Sequence, residues 1–172
     1  CKNTLELGAA RGKSTLFIAK GTIANQGKLT SVDMWNWSEE EVKKITVNET
    51  GETPVSDIYI CDFHKEYLKN IHFHPDYTNV IRPVQANCFD FIQQTTEKFD
   101  FIFIDLFHTY DETINVLNAI KKCLSKQAVI LLHDYGVDFP GVMKAVDEKV
   151  QLGEFKFINK NCPGSLVELQ WD

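Results

Sequence analysis

The chain has 172 residues, 44% of them hydrophobic and 24% charged, with a formal net charge of −6. That size and balance suit one domain with a proper core and exclude a disordered polymer. The acidic balance and scattered lysines leave no basic stripe for nucleic acid, no apolar run approaches the length of a bilayer span, and residues 1–7 are too short and mixed for a signal peptide. Five widely spaced cysteines (Cys1, Cys61, Cys88, Cys123, Cys162) without a CxxC pair fit neither a disulfide framework nor a zinc site. They point to reduced thiols in a cytoplasmic protein, and no membrane association is expected.

The chain opens almost inside a strand, which suggests a fragment whose preceding N-terminal segment is missing. Residues 4–7 read as a short strand, 8–12 as a glycine-bearing turn and 13–25 as a helix stopped by Gly27. A second strand follows at 29–33. A polar helix is expected at 38–44, a loop at 48–54, and a helix at 57–70 capped by Asp57. Residues 79–84 form a third strand and 88–95 a short helix. Residues 99–105 are almost continuously apolar, as a central parallel strand buried on both faces should be. The helix 109–124 begins with Thr109 and Glu112 at capping-box spacing and carries Ile114, Leu117, Ile120 and Leu124 on one stripe. A buried strand at 128–132, a helix at 140–150 with Pro140 in its first turn, and two strands at 155–158 and 166–171 close the chain. Strand–helix alternation predicts a parallel sheet with helices on its faces, and ligands in such a sheet bind beyond the carboxyl ends of the strands.

Four stretches at those ends could carry chemistry. In the turn E-x-G-x-x-x-G, Gly8 permits a sharp bend, Ala10 and Gly12 permit close backbone approach, and Ser14 and Thr15 sit at a helix start with free N–H groups. Asp33 ends the second strand 25 residues after Gly8, near the spacing at which a carboxylate meets ribose hydroxyls. Asp105 with His108 follows the most buried strand, and His133 with Asp134 follows the next. These carboxylates and imidazoles suit either a general base or a divalent metal such as Mg²⁺ held by Asp105, His133 and Asp134.

Together these stretches resemble class I S-adenosylmethionine-dependent methyltransferases, and more narrowly the branch of macrocin-type sugar O-methyltransferases and glycosyltransferase-associated methyltransferase domains. Residues 6–15 resemble its first motif, Asp33-Met34-Trp35 its Asp-Thr-Trp, residues 99–111 its FDLIFIDGxHTYE and residues 129–135 its VILLHDY. Phe139-Pro140-Gly141-Val142 followed by Ala145-Val146-Asp147 also fits. The likeness runs from about residue 4 to 171. It implies a Rossmann-like, doubly wound, mostly parallel seven-stranded sheet with helices on both faces, as a single domain over 1–172.

The resemblance also implies roles. Gly8, Ala10 and Gly12 line the methionine part of S-adenosylmethionine, with Glu6 near its amino group. Asp33 holds the ribose, and Met34, Trp35, Asn87 and Cys88 lie near the adenine. Asp105 and Asp134 match metal ligands of some members. Leu106 replaces the usual Gly, Phe107 stands where some sugar methyltransferases carry a catalytic Asp, and His133 stands at a second acid. His108 becomes the expected base, with Asp105 and Asp134 beside it. The expected activity is methyl transfer to a small hydroxylated acceptor such as a sugar. A catalytically inactive cofactor-binding module, a nicotinamide-dependent oxidoreductase and a metal-dependent enzyme built on Asp105, His133 and Asp134 remain as alternatives.

Overall fold

The structure is a computed structural model that describes residues 1–36, 62–73, 75–106 and 108–171. The expected elements at 38–44 and 48–54, and Asp57, Cys61 and Phe107, lie outside the described residues.

Seven strands form one sheet: β1 (Asn3–Leu7), β2 (Lys28–Asp33), β3 (Ile81–Gln85), β4 (Phe99–Ile104), β5 (Leu124–Leu132), β6 (Lys156–Cys162) and β7 (Leu166–Gln170). Their order is β3-β2-β1-β4-β5-β7-β6. The first five are parallel, and β7 runs antiparallel to both β5 and β6. Helices α1 (Lys13–Ala24), α2 (Phe63–His72), α3 (Pro75–Thr78), α4 (Cys88–Gln94), α5 (Tyr110–Ile120) and α6 (Pro140–Gln151) connect them. Two apolar clusters divide the helices. One joins Leu5, Leu7 and Ile102 to Ile92 of α4, Leu117 of α5 and Val146 of α6. The other joins Leu29 and Ile81 to Ala19 of α1 and Tyr67 and Ile71 of α2. The Rossmann-like fold expected from the sequence is the fold observed.

Several boundaries differ, for local reasons. α1 ends in a left-handed residue, but that residue is Gln26 (φ 53°) rather than Gly27. Gly27 is required by close approach, since a Cβ there would lie 2.5 Å from the Lys2 carbonyl oxygen. α2 starts at Phe63, because Asp62 accepts from the Lys65 amide and caps it. α5 stops at Ile120, a 3-10 turn takes Lys121–Cys123, and β5 begins four residues earlier than expected, at Leu124. On α5 the buried positions are Thr113, Val116, Leu117 and Ile120, with Ile114 only half-buried.

Candidate active site

The sheet order sets the carboxyl ends of β2, β1, β4 and β5 side by side. Each expected site residue lies at or just beyond one of these ends or that of β3, so topology alone gathers them along one edge.

The turn after β1 is held from three directions. Gly8 and Gly12 have φ of 87° and 83°, and Ala10 shares the left-handed region at 43°. Gly8 must lack a side chain, because a Cβ would meet the Asp105 carbonyl oxygen at 2.0 Å. The β1 and β4 ends are tied here by the Asp105 amide, which donates to the Leu7 carbonyl at 2.9 Å. Asp33 Oδ2 accepts from the Ala9 and Ala10 amides at 3.0 and 2.9 Å, and its Oδ1 accepts from the Trp35 amide at 2.9 Å. Asp33 therefore pins the turn whatever else it binds.

Trp35 does not offer an open face beside the turn. It is 4% exposed, donates from Nε1 to the Ala10 carbonyl at 2.8 Å, and packs against His64 and Tyr67 with ring centroids at 4.8 and 4.5 Å. Glu6 is likewise turned beneath the turn. It is fully buried, and Ser14, Thr15 and Ser31 donate their hydroxyls to it, each at 2.6 Å. Burial pushes its carboxyl up to about 7 despite those three bonds. The Ser14 and Thr15 hydroxyls thus face Glu6 and stitch α1 to β1. Asn87 caps α4 by accepting from the Phe89 amide at 2.9 Å, and its Nδ2 lies 3.7 Å from Met34 Sδ. Cys88 is buried against the Val32 carbonyl, and burial pushes its thiol up to about 12, so it is inert.

The ends of β4 and β5 carry the titratable cluster. His108 Nε2 lies 2.7 Å from Asp134 Oδ2, with side chains 26% and 11% exposed. His133 Nδ1 lies 3.0 Å from the same oxygen and 3.4 Å from Asp105 Oδ1, a buried atom without a well-directed hydrogen bond. The carboxylates of Asp105 and Asp134 raise His133 to about 10, which keeps it cationic. Burial pushes Asp134 upward, but His108 and His133 outweigh it and hold its carboxyl well below the usual range. The His108 ring packs against Phe139 at 4.5 Å between centroids. Asp105, His108 and Asp134 each bring one ligand atom within 4.8 Å of the others. His108 thus stands in this convergent set where His133 was expected beside Asp105 and Asp134.

A family profile described as a methyltransferase domain matches residues 5–135, which takes in the turn, Asp33 and the whole His–Asp cluster. This chain belongs to that family of methyltransferase domains. No curated protein matches it. Among solved structures it is similar to the O-methyltransferase TomG from Streptomyces achromogenes in complex with SAM, at 13% identity and a TM-score of 0.66, covering 99% of this chain and 72% of that one. The O-methyltransferase from Bacillus cereus in complex with SAH matches at 16% identity and a TM-score of 0.65, over 99% and 74%. The SAH-bound methyltransferase from Podospora anserina matches at 13% and 0.66, over 99% and 72%. At these identities the likeness fixes the fold. The class I methyltransferase sheet inferred from the sequence is thereby established, while the macrocin-type branch is not.

Sequence reasoning missed two contributors to this candidate site. Ser31 closes the Glu6 cluster, and a polar residue inside an otherwise buried strand was its signal. Tyr67, fully buried on α2, fills the space under Gly12, where a Cβ would meet its ring at 3.0 Å. Nothing local in the sequence marks it.

Proposed function

We propose that the chain, as one domain over residues 1–172, is an S-adenosylmethionine-dependent O-methyltransferase for a small hydroxylated acceptor, with sugars as the acceptor class to which the resemblance points. The observation that carries the reading is the His108–Asp134 pair, set at the carboxyl ends of adjacent strands beside the glycine turn.

When bound, S-adenosylmethionine supplies a methyl group on a sulfonium, an electrophile that needs no further activation. This chain's residues must then hold the cofactor, align the acceptor oxygen and take its proton. Gly8, Ala10 and Gly12 would line the cofactor, with Asp33, Met34, Asn87 and Asp105 around it. Glu6, Ser14, Thr15, Trp35 and Cys88 shape that cradle from behind. His108 donates from Nε2 to Asp134, which leaves Nδ1 as the proton acceptor for the substrate hydroxyl. The ionised Asp134 stabilises the imidazolium that results. His133, cationic between two carboxylates, keeps them from repelling one another.

Asp105, His108 and Asp134 also fit a divalent cation, because one ligand atom of each converges within 4.8 Å of the others. A cation there would lower the pKa of the acceptor hydroxyl. The free thiols of Cys1, Cys88, Cys123 and Cys162 favour a cytoplasmic setting, and no described helix is long and apolar enough to cross a membrane. The acidic charge favours a small molecule over nucleic acid.

The reading is tested by transfer of a labelled methyl group to a panel of hydroxylated compounds, sugars first. His108→Ala should lower turnover by about 100-fold or more while leaving cofactor affinity intact. Unchanged turnover would remove His108 as the base, and binding without transfer to any acceptor would favour an inactive module.

A further inference from the structure

Asp147, on the helix that follows Phe139 and Pro140, belongs to the sequence pattern but has no part in the methyltransferase site described above. The structure ties it back to the catalytic cluster. Asp147 Oδ1 accepts from the Tyr135 hydroxyl at 2.7 Å and from Lys160 Nζ at 3.0 Å. Lys160 also lies over the rings of Tyr135 and Phe157, 5.5 and 4.7 Å from their centroids. Three elements meet here: the loop after β5 through Tyr135, α6 through Asp147 and β6 through Lys160.

Tyr135 is the residue next to Asp134, and Asp134 is backbone-strained. Its φ is 61°, in the left-handed region that a non-glycine residue occupies only when its surroundings over-determine it. Those surroundings are explicit on both sides. The His133 amide donates to the Ile104 carbonyl at 2.9 Å, and the Tyr135 amide donates to the Ser165 carbonyl at 2.8 Å. The Tyr135 side chain, 7% exposed, then adds the Asp147 bond as the anchor that reaches α6. Asp134 Oδ2 meets both His108 and His133, so a small rotation of the backbone at 134 would break both contacts together.

We infer that Asp147 and Tyr135 are positioning residues: with Lys160 they clamp the loop after β5 so that the Asp134 carboxylate stays aimed at His108. The clamp lies outside the residues assigned above to cofactor and acceptor. It rests on the reading of His108–Asp134 as a functional pair, and it extends that site to a face of α6 more than one side chain away.

The experiment uses the intact chain without cofactor, so it needs no known acceptor. Long-range ¹H–¹⁵N spectra at pH 8 report which imidazole nitrogen of His108 carries the proton. In the wild type Asp134 should hold His108 as the Nε2–H tautomer. Asp147→Ala and Tyr135→Phe should each turn that signal into a mixture of tautomers. Asp147→Asn, which still offers an oxygen to Tyr135 and Lys160, should restore the wild-type pattern. Near-UV circular dichroism confirms that each variant is folded, and where Asp147→Ala is not, Tyr135→Phe alone decides. Variants that are folded yet keep a pure Nε2–H signal would overturn the clamp. A wild type that itself lacks this signal would instead overturn the His108–Asp134 pair, which separates the two failures.

Discussion

Replacing Glu6 with Gln should stabilise the protein above neutral pH and leave it nearly unchanged in mild acid. Glu6 is fully buried and its carboxyl is raised from 4.5 to about 7, chiefly by burial. The folded state therefore binds more protons than the unfolded chain between those two values. Its contribution is fully present below 4.5, falls as pH rises through about 7, and is flat beyond. A shift of that size corresponds to roughly 3 kcal/mol lost between mild acid and pH 8. Gln cannot ionise, yet its amide can still accept and donate among the Ser14, Thr15 and Ser31 hydroxyls. Urea denaturation of both proteins across pH 4.5 to 8 measures the difference curve, in which other titrating groups cancel. A Glu6→Gln advantage that grows with pH is the expected result. An equal loss of stability at every pH would refute the argument, since it would mean the carboxylate is needed for its charge.

Other expectations follow from close contacts elsewhere in the site. Gly8→Ala places a Cβ 2.0 Å from the Asp105 carbonyl oxygen at a φ of 87°, and thermal denaturation should show a loss of about 2–5 kcal/mol, with little folded protein at the upper end. His133, raised from 6.5 to about 10, contributes stability that is complete below pH 6.5 and is lost as pH rises through 10. In melting curves from pH 6 to 10, His133→Asn should remove that alkaline decline, and an unchanged decline would assign it to another group. Its side chain is 37% exposed, so solvent screens the effect and the change should be modest.

Much of the fold was legible because single elements carried unambiguous signals. The apolar run of β4 could only be a central strand, and Thr109 caps α5 as its spacing with Glu112 predicts, the two side chains bonding at 2.5 Å. Asp105, His108, His133 and Asp134 were found because polar residues directly after buried strands must converge in a parallel sheet. What the sequence concealed depends on side-chain direction. Glu6 and Trp35 sit beside the turn in sequence but point beneath it, drawn by Ser31 of β2 and by Tyr67 and His64 of α2. Those partners lie 25 to 32 residues away, beyond any local pattern. β6 runs on to Cys162 rather than ending at residue 158. As an edge strand it is largely exposed and lacks the alternation that marks a half-buried strand, so its pattern under-reports its length.

Cofactor binding itself is best measured by isothermal calorimetry of the purified chain with S-adenosylhomocysteine, alongside NADH and the Asp33→Asn variant. Asp33 pins the Ala9 and Ala10 amides and ends the strand where a ribose would lie. Saturable one-to-one binding of S-adenosylhomocysteine is expected, with none of NADH, and at least tenfold weaker binding in Asp33→Asn, about 1.4 kcal/mol. Absence of S-adenosylhomocysteine binding by folded wild-type protein would contradict the methyltransferase reading and leave only the fold.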